Sequence, residues 1–407
     1  MSRLSGIGHA STTILAALTL AHCADSFAVA APPRTPEDVV RDEAARTLAP
    51  TPPMGWNSWN NFGCHVSDAL IREVADAIAK NGMRDAGYRY VNIDDCWEAQ
   101  ARIDGHLHAD PLAFPHGMKP LADYLHGKGL KLGIYSDHGT NTCEMRPGSH
   151  GYEQVDANDF AAWGVDYLKY DNCNEVRGAS QSQDYRAMMN ALLASGRPIV
   201  FSICAWKYQG WMPTTGNLWR TSADIRDNWA AILREIDANE RYAALARPGR
   251  WNDPDALEVG NGGMSDDEYR AHFSMWAMMA APLIAGNDVR TMSEATAAIL
   301  MNREVIAVDQ DPLGMQGTKV ADLGDGLEVY ARGLAGQASR AVVMFNRSKR
   351  AATMTVTWAA LGLDADLASV RDLWAHAAMG EFRLRYAATV APHGVVMLKI
   401  DATPRPP

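Results

Sequence analysis

Hydrophobic and polar positions follow two rhythms along this chain, and the change falls near residue 314. Before it, short apolar runs recur, each followed by a segment with apolar residues at helical spacing. Met54 to Trp59 reads as a first strand, and Ser67 caps a helix carrying Ile71, Val74 and Ile78 on one face. Tyr88 to Trp97 is the second strand. Leu121, Tyr124 and Leu125 mark a helix stopped near Gly129, and Lys131 to Asp137 is the third strand. Asp156 to Trp163 is predicted helical and leads into a fourth strand from Val165, which ends in Lys169, Tyr170 and Asp171. Tyr185, Met188, Met189, Leu192 and Leu193 share a helix face ending at Gly196, before a strand from Pro198 to Trp206.

Leu218 to Ile225 is the sixth strand, Ala230 to Ala246 a helix, and Arg250 to Val259 the seventh strand. Ser265 and Glu268 form a capping box for a helix through Ala280, Pro282 to Asp288 is the eighth strand, and Thr296 to Met301 the last helix. Eight strand-then-helix units between residues 51 and 313 fit an α/β fold, the (β/α)8 TIM barrel, in count and length. A doubly wound sheet is the alternative, but no Gly-rich phosphate loop follows any strand. From Gly314 the period becomes two. Leu327, Val329 and Ala331 alternate with other residues, as do Met354, Val356 and Trp358, then Phe382, Leu384 and Tyr386, then Val396, Leu398 and Ile400. Residues 314–407 are therefore expected to form a C-terminal antiparallel β-sandwich.

Composition changes the picture in two places. With 407 residues and a net charge of −10, the chain has room for a barrel plus an appendage, and no basic stripe suits nucleic acid. Arg3, the apolar run Ile14 to Leu20 and Ala28-Val29-Ala30 read as a signal peptide over residues 1–30, cleaved on export to a periplasm or the medium. Cys23 raises a lipoprotein alternative that His22 fits poorly. No apolar run has membrane-spanning length. Residues 31–50, with Pro32, Pro33 and Pro36, form a lead-in. Cys64, Cys96, Cys143, Cys173 and Cys204 remain after cleavage, and an odd count leaves one thiol over. They form no CxxC pairs and have no histidines at ligand spacing, so no metal site is expected.

The strand ends carry the chemistry. A Lys and an Asp at the end of a parallel strand cost burial energy unless paired or set in a cleft. Asp171 is accordingly the candidate nucleophile, with Lys169 beside it; a structural Lys–Asp pair is the bland alternative. The other ends offer Trp56 and Trp59; Asp94, Asp95 and Cys96; Tyr135 and Asp137; Cys204 and Trp206; Arg220 and Asp224; Asp253 and Asp255; Asn287 and Asp288. Acids and aromatics converging on one face suit a sugar, whose CH faces stack on rings and whose hydroxyls bond carboxylates. Trp56 and Trp59 also fit a barrel plug, Asp94-Asp95 a turn, and His106 and His108 a loop. Asp137 and His138 suggest a metal, but no further histidine completes a set.

The segments TPPMGWNSWN, DAGYRYVNIDDCW, FPHGMKPLADYLHGKGLKLGIYSD, WGVDYLKYDNC, WNDPDAL and VIAVDQDPLG closely resemble glycoside hydrolase family 27, the α-galactosidase and α-N-acetylgalactosaminidase family. The resemblance runs from about Thr51 to the end. It implies a barrel with a C-terminal β-domain, no cofactor, and a retaining mechanism through a covalent glycosyl-enzyme. By position it implies Asp171 as nucleophile, Asp224 as acid/base, and Arg220 beside the sugar's 2-position. Asp94 and Asp95 match the binders of the 4- and 6-hydroxyls; Trp59, Tyr135 and Lys169 match further sugar contacts, and Cys204, Trp206 and Asp253 join the substrate site. The resemblance pairs Cys143 with Cys173 and Cys64 with Cys96, leaving Cys204 free.

The implied substrate is an oligosaccharide or polysaccharide ending in α-galactose. One position departs from the galactosidase pattern: SICAWKY places Ala205 where a Glu would bond the 2-hydroxyl. A small residue there resembles the N-acetylgalactosaminidase branch, although Lys207 or Tyr208 would refill the space. A β-L-arabinopyranosidase is a lesser option. A silent galactose-binding protein and a metal-dependent barrel hydrolase are the competing classes. Retention of both Asp171 and Asp224 argues against the first, and the missing ligand set against the second.

Overall fold

The computed structural model describes residues 43–336 and 338–403, so the predicted leader lies outside the described residues. Eight short parallel strands line up as β1 (Met54–Asn57), β2 (Tyr90–Asn92), β3 (Lys131–Asp137), β4 (Tyr167–Asp171), β5 (Val200–Ile203), β6 (Leu218–Arg220), β7 (Trp251–Asp253) and β8 (Leu283–Ala285). From β1 to β7 each pairs with its sequence neighbours, and β1 also pairs with β8. Closure between β7 and β8 is indirect. Pro254 has no N–H to donate, and Asp255 turns to φ 83°, so the ladder breaks. It resumes at Leu257, whose N–H donates to the Ile284 carbonyl at 2.7 Å.

The crossover helices are α1 (Asp68–Lys80), α2 (Met118–Gly127), α3 (Glu153–Trp163), α4 (Gln181–Ala194), α5 (Trp229–Glu240), α6 (Asp266–Met278), α7 (Glu294–Leu300) and α8 (Arg303–Asp309). Ser67 Oγ accepts the Leu70 N–H at the start of α1, whose apolar stripe Leu70, Ile71, Val74 and Ile78 is buried. Ser265 and Glu268 make the expected capping box of α6. The third strand spans the expected Lys131–Asp137, but the other barrel strands are shorter than the runs that predicted them. In Tyr88 to Trp97 only Tyr90–Asn92 pair as strand, because the chain turns out at Asp94 and Cys96 adopts φ 79°. The helix expected through Ala246 stops at Glu240 and gives way to a separate turn, Ala243–Leu245. Helix α8 was not expected. Asn302 caps it by accepting the Glu304 and Val305 N–H groups.

The C-terminal part contains β9 (Thr318–Asp322), β10 (Leu327–Gly333), β11 (Ser339–Asn346), β12 (Ala352–Thr357), β13 (Leu367–Asp372), β14 (Ala377–Arg383), β15 (Arg385–Val390) and β16 (Val395–Ala402). They form a six-stranded sheet, β14-β13-β16-β11-β10-β9, and a two-stranded one, β12-β15. Val329, Val342, Met344, Met354, Val356, Trp358, Leu398 and Ile400 fill the core between them. The run Phe382-Leu384-Tyr386 is not one strand: Leu384, exposed and at φ 64°, breaks it, sending β14 and β15 to different sheets. Helix α6 is buried along most of its length, because the barrel and the β-domain cover opposite sides. Trp374 Nε1 donates to Ser274 Oγ at 2.9 Å, and Arg347 grips Asp237 on α5 at 2.7 Å.

Candidate active site

One pocket opens at the C-terminal ends of the barrel strands. Trp59, Asp94, Asp95, Tyr135, Lys169, Asp171, Cys204, Trp206, Arg220, Asp224 and Asp253 all line it. Parallel strands deliver these residues together because each ends at the same rim before its helix returns. Trp56, the other tryptophan of strand one, is instead buried beneath, with Nε1 donating to the Asn287 carbonyl at 2.8 Å. Asn287 and Asp288 do not line the pocket, and Asp288 pairs with Arg290 at 2.8 Å.

Asp94 is the hub of one wall. Its Oδ2 accepts from Lys169 Nζ at 2.8 Å and from Asn57 Nδ2 at 2.7 Å. Asp95 Oδ1 accepts the Cys96 N–H at 2.7 Å and its Oδ2 the Glu144 N–H at 2.9 Å. Burial still raises the Asp95 carboxyl above its ordinary range, since the bonds offset only part of the lost hydration. Tyr135 lies below, its ring 5.2 Å from the Lys169 ammonium.

Asp171 ends β4 and is 6% exposed. Burial pushes its carboxyl up, and the Lys169 ammonium pulls it back down. Burial also opposes the charge of Lys169, but the Asp94 and Asp171 carboxylates outweigh it and hold the amine well above its usual range. The ammonium is thus secured beside the acid. The Cys204 thiol is pushed well up, first by burial and then by Asp171, so it stays a neutral thiol.

Opposite stands Arg220, whose Nη2 bonds Asp255 Oδ2 at 2.7 Å and Asp224 Oδ1 at 3.0 Å, while Nη1 lies 3.4 Å from Cys204 Sγ. The Asp224 side chain is 70% exposed at the mouth, whereas that of Arg220 is 4% exposed. Asp253 is buried beneath, and burial lifts its carboxyl to about 6. Asp255 named itself among the strand ends, but its bond to Arg220 was not expected; the signal was Pro254, which breaks β7 and turns the next residue inward. Asn57 was missed outright, for a lone amide at a strand end carries no distinctive pattern. Ala205 is buried and does not line the pocket. Nor do Lys207 and Tyr208, the Tyr208 ring being stacked on Tyr242 at 4.4 Å between centroids.

Cys143 and Cys173 are bonded, as are Cys64 and Cys96, and Cys204 is a buried free thiol. Among the described residues, the clusters with ligand atoms close enough for a metal are Cys64, Cys96 and Glu144, and Asp137, Cys143 and Cys173. Both rest on cystine sulfurs, which lack the thiolate that binds a metal.

Acids and aromatic rings gathered at the open end of a (β/α)8 barrel define a carbohydrate-active barrel enzyme. Comparison narrows the class. The sequence profile described as Alpha galactosidase A matches residues 51–311, and the Alpha galactosidase C-terminal beta sandwich domain matches 324–400. Alpha-galactosidase 2 of Arabidopsis thaliana is 50% identical, over 86% of this chain and 89% of its own. An alpha-galactosidase of Oryza sativa subsp. japonica is 51% identical, over 86% and 84%. The crystal structure of alpha-galactosidase I from Mortierella vinacea superposes with a TM-score of 0.83 at 39% identity, covering 88% of this chain and 100% of that one. The chain belongs to glycoside hydrolase family 27, the α-galactosidase family.

Proposed function

We propose that the protein is an exported retaining exo-glycosidase that removes terminal α-D-galactosyl residues from oligosaccharides or polysaccharides. The observation that carries this reading is the contrast between the two acids lining one pocket: Asp171 is 6% exposed, while the Asp224 side chain is 70% exposed. A nucleophile works from below the sugar, within reach of Lys169; an acid/base works at the mouth, where the leaving group departs and water enters. Asp224 gives its proton to the leaving oxygen while Asp171 attacks the anomeric carbon. Asp224 then takes a proton from water, which releases the sugar with its configuration retained. Asp94, Asp95 and Lys169 supply acceptors and a donor for the sugar hydroxyls, and Trp59 and Trp206 supply ring faces.

The curated relatives named above are alpha-galactosidases, which supports galactose as the sugar. A second reading, an α-N-acetylgalactosaminidase, rests on Ala205 standing in place of the galactosidase Glu, although Ala205 itself does not line the pocket. β-L-arabinopyranoside is the remaining alternative on the same ring stereochemistry. Export fits the two disulfides, which form in oxidising compartments. No helix among the described residues is long and apolar enough to cross a membrane.

Hydrolysis of paired nitrophenyl glycosides tests the proposal. We expect clear preference for α-galactoside over α-N-acetylgalactosaminide and β-L-arabinopyranoside, α-galactose as first product by NMR, and no turnover in Asp171→Ala. Equal rates on the first two substrates would overturn the galactose assignment, and a β-anomer as first product would overturn the mechanism.

A further inference from the structure

His138 follows β3, lies outside the pocket, and is 1% exposed. The role of its Nε2 follows from hydrogen-bond polarity along a chain of side chains. The Trp211 indole can only donate, and its Nε1 donates to Gln209 Oε1 at 3.1 Å. This turns Gln209 Nε2 toward Gln181 Oε1. Gln181 Nε2 in turn donates to Asn172 Oδ1 and, at 3.2 Å, to Glu175 Oε1. Asn172 Oδ1 is therefore an acceptor, and His138 Nε2, 2.9 Å away, must be its donor.

The other ring nitrogen, Nδ1, faces Asp184 Oδ2 at 3.2 Å. Nε2 is thus held as a donor to Asn172, and the opposite edge of the ring rests against a carboxylate. Further polar groups surround it. Glu175 Oε1 lies 3.7 Å from Nε2, His150 Nδ1 approaches Asp184 at 3.9 Å, and the neighbouring Asp137 carboxyl is taken up by the Gly139 and Cys173 N–H groups. The Tyr185 ring packs against the imidazole with centroids 5.1 Å apart.

The ring is linked to Asp171 through Asn172. The Asn172 N–H donates to Asp171 Oδ1 at 2.9 Å, and the His138 backbone N–H donates to the Asp171 carbonyl at 3.3 Å. Tyr185 Oη donates to the same carbonyl at 2.8 Å. We infer that His138 is a positioning residue: clamped between Asp184 and Asn172, it fixes the peptide whose N–H aims the Asp171 carboxylate. The role rests on reading Asp171 as the nucleophile; the Nε2 donor bond to Asn172 does not.

The test combines kinetics with ring ¹⁵N NMR of the whole enzyme. His138→Leu should lower kcat on a nitrophenyl α-galactoside about tenfold or more, with KM within about twofold, because the carboxylate is misaimed while sugar contacts remain. His138→Gln keeps an N–H directed at Asn172 and should recover most of the loss. In the wild type Nε2 should resonate as a protonated nitrogen. Asp184→Asn, which leaves the packing in place, should lower kcat in the same way; it carries the test if His138→Leu fails to fold. Unchanged kcat in His138→Leu or in Asp184→Asn, equal loss in the Leu and Gln variants, or an unprotonated Nε2 in the wild type would each overturn the inference. Turnover by Asp171→Ala would instead sink the nucleophile reading, leaving the NMR result to stand on its own.

Discussion

Lys169 Nζ lies 2.8 Å from Asp94 Oδ2, a bond that spans from β4 to β2 across the intervening β3. It gives a cation to two acids at once: it partners Asp94 directly, and its charge lowers the Asp171 carboxyl against the effect of burial. A methionine at 169 would fill the volume and leave both acids without it. Lys169→Met should lower kcat/KM about 100-fold, roughly 2.7 kcal/mol of transition-state stabilisation. Steady-state kinetics on nitrophenyl α-galactoside check it, and near-wild-type values would show that the ammonium is dispensable.

Asp224 is assigned to the leaving group, so its loss should depend on what leaves. Asp224→Ala should slow an unactivated oligosaccharide by at least about 100-fold. A nitrophenyl galactoside, whose leaving oxygen needs little protonation, should suffer much less in formation of the glycosyl-enzyme. Pre-steady-state measurement on both substrates separates the steps. An identical loss on both would remove Asp224 from the acid role.

Asp137 sits beside Asp171 in the β3–β4 register, and burial lifts its carboxyl to about 8. In the unfolded chain that carboxyl titrates near about 3.9. Between these values the native state binds the proton and the unfolded state does not, so stability falls as pH rises. The contribution of Asp137 is complete below pH ~4 and lost by pH ~8. Asp137→Asn keeps only one of the Gly139 and Cys173 N–H bonds, because an amide has one acceptor oxygen where the carboxyl uses two, but it cannot ionise. Denaturation midpoints from pH 5 to 8 should therefore fall less in the variant, and parallel curves would contradict the assignment.

Ala205 stands where the galactosidase pattern carries a Glu. Ala205→Glu should lower the ratio of α-N-acetylgalactosaminide to α-galactoside hydrolysis by at least about tenfold, through a clash with the acetamide and a new acceptor for the 2-hydroxyl. Competition between the two substrates gives the ratio directly. No change would mean that position 205 does not face C2.

Much of this was legible before any coordinates. Apolar runs alternating with helical faces can be satisfied by few topologies, and eight of them in series point to a barrel whose acids share one rim. Element ends were harder to read. The stretch from Tyr88 to Trp97 still offers Ile93, Cys96 and Trp97 past Asn92, yet pairing stops there, because Asp94 and Asp95 turn into the pocket wall. Leu384 fits a period of two, but a positive φ that no pattern announces divides its strand.

Local sequence therefore determined which acids and rings would stand at the strand ends, since period and strand order are set by neighbours along the chain. Tertiary structure decided what each of them touches. Asp255 reaches Arg220 only because β7 breaks at Pro254, and Trp56 is lost to the core while Trp59 is kept for the pocket. Asp184, 46 positions from His138, meets its ring only when α4 packs behind β4. Such contacts depend on distances across the barrel, and no spacing along the chain encodes them.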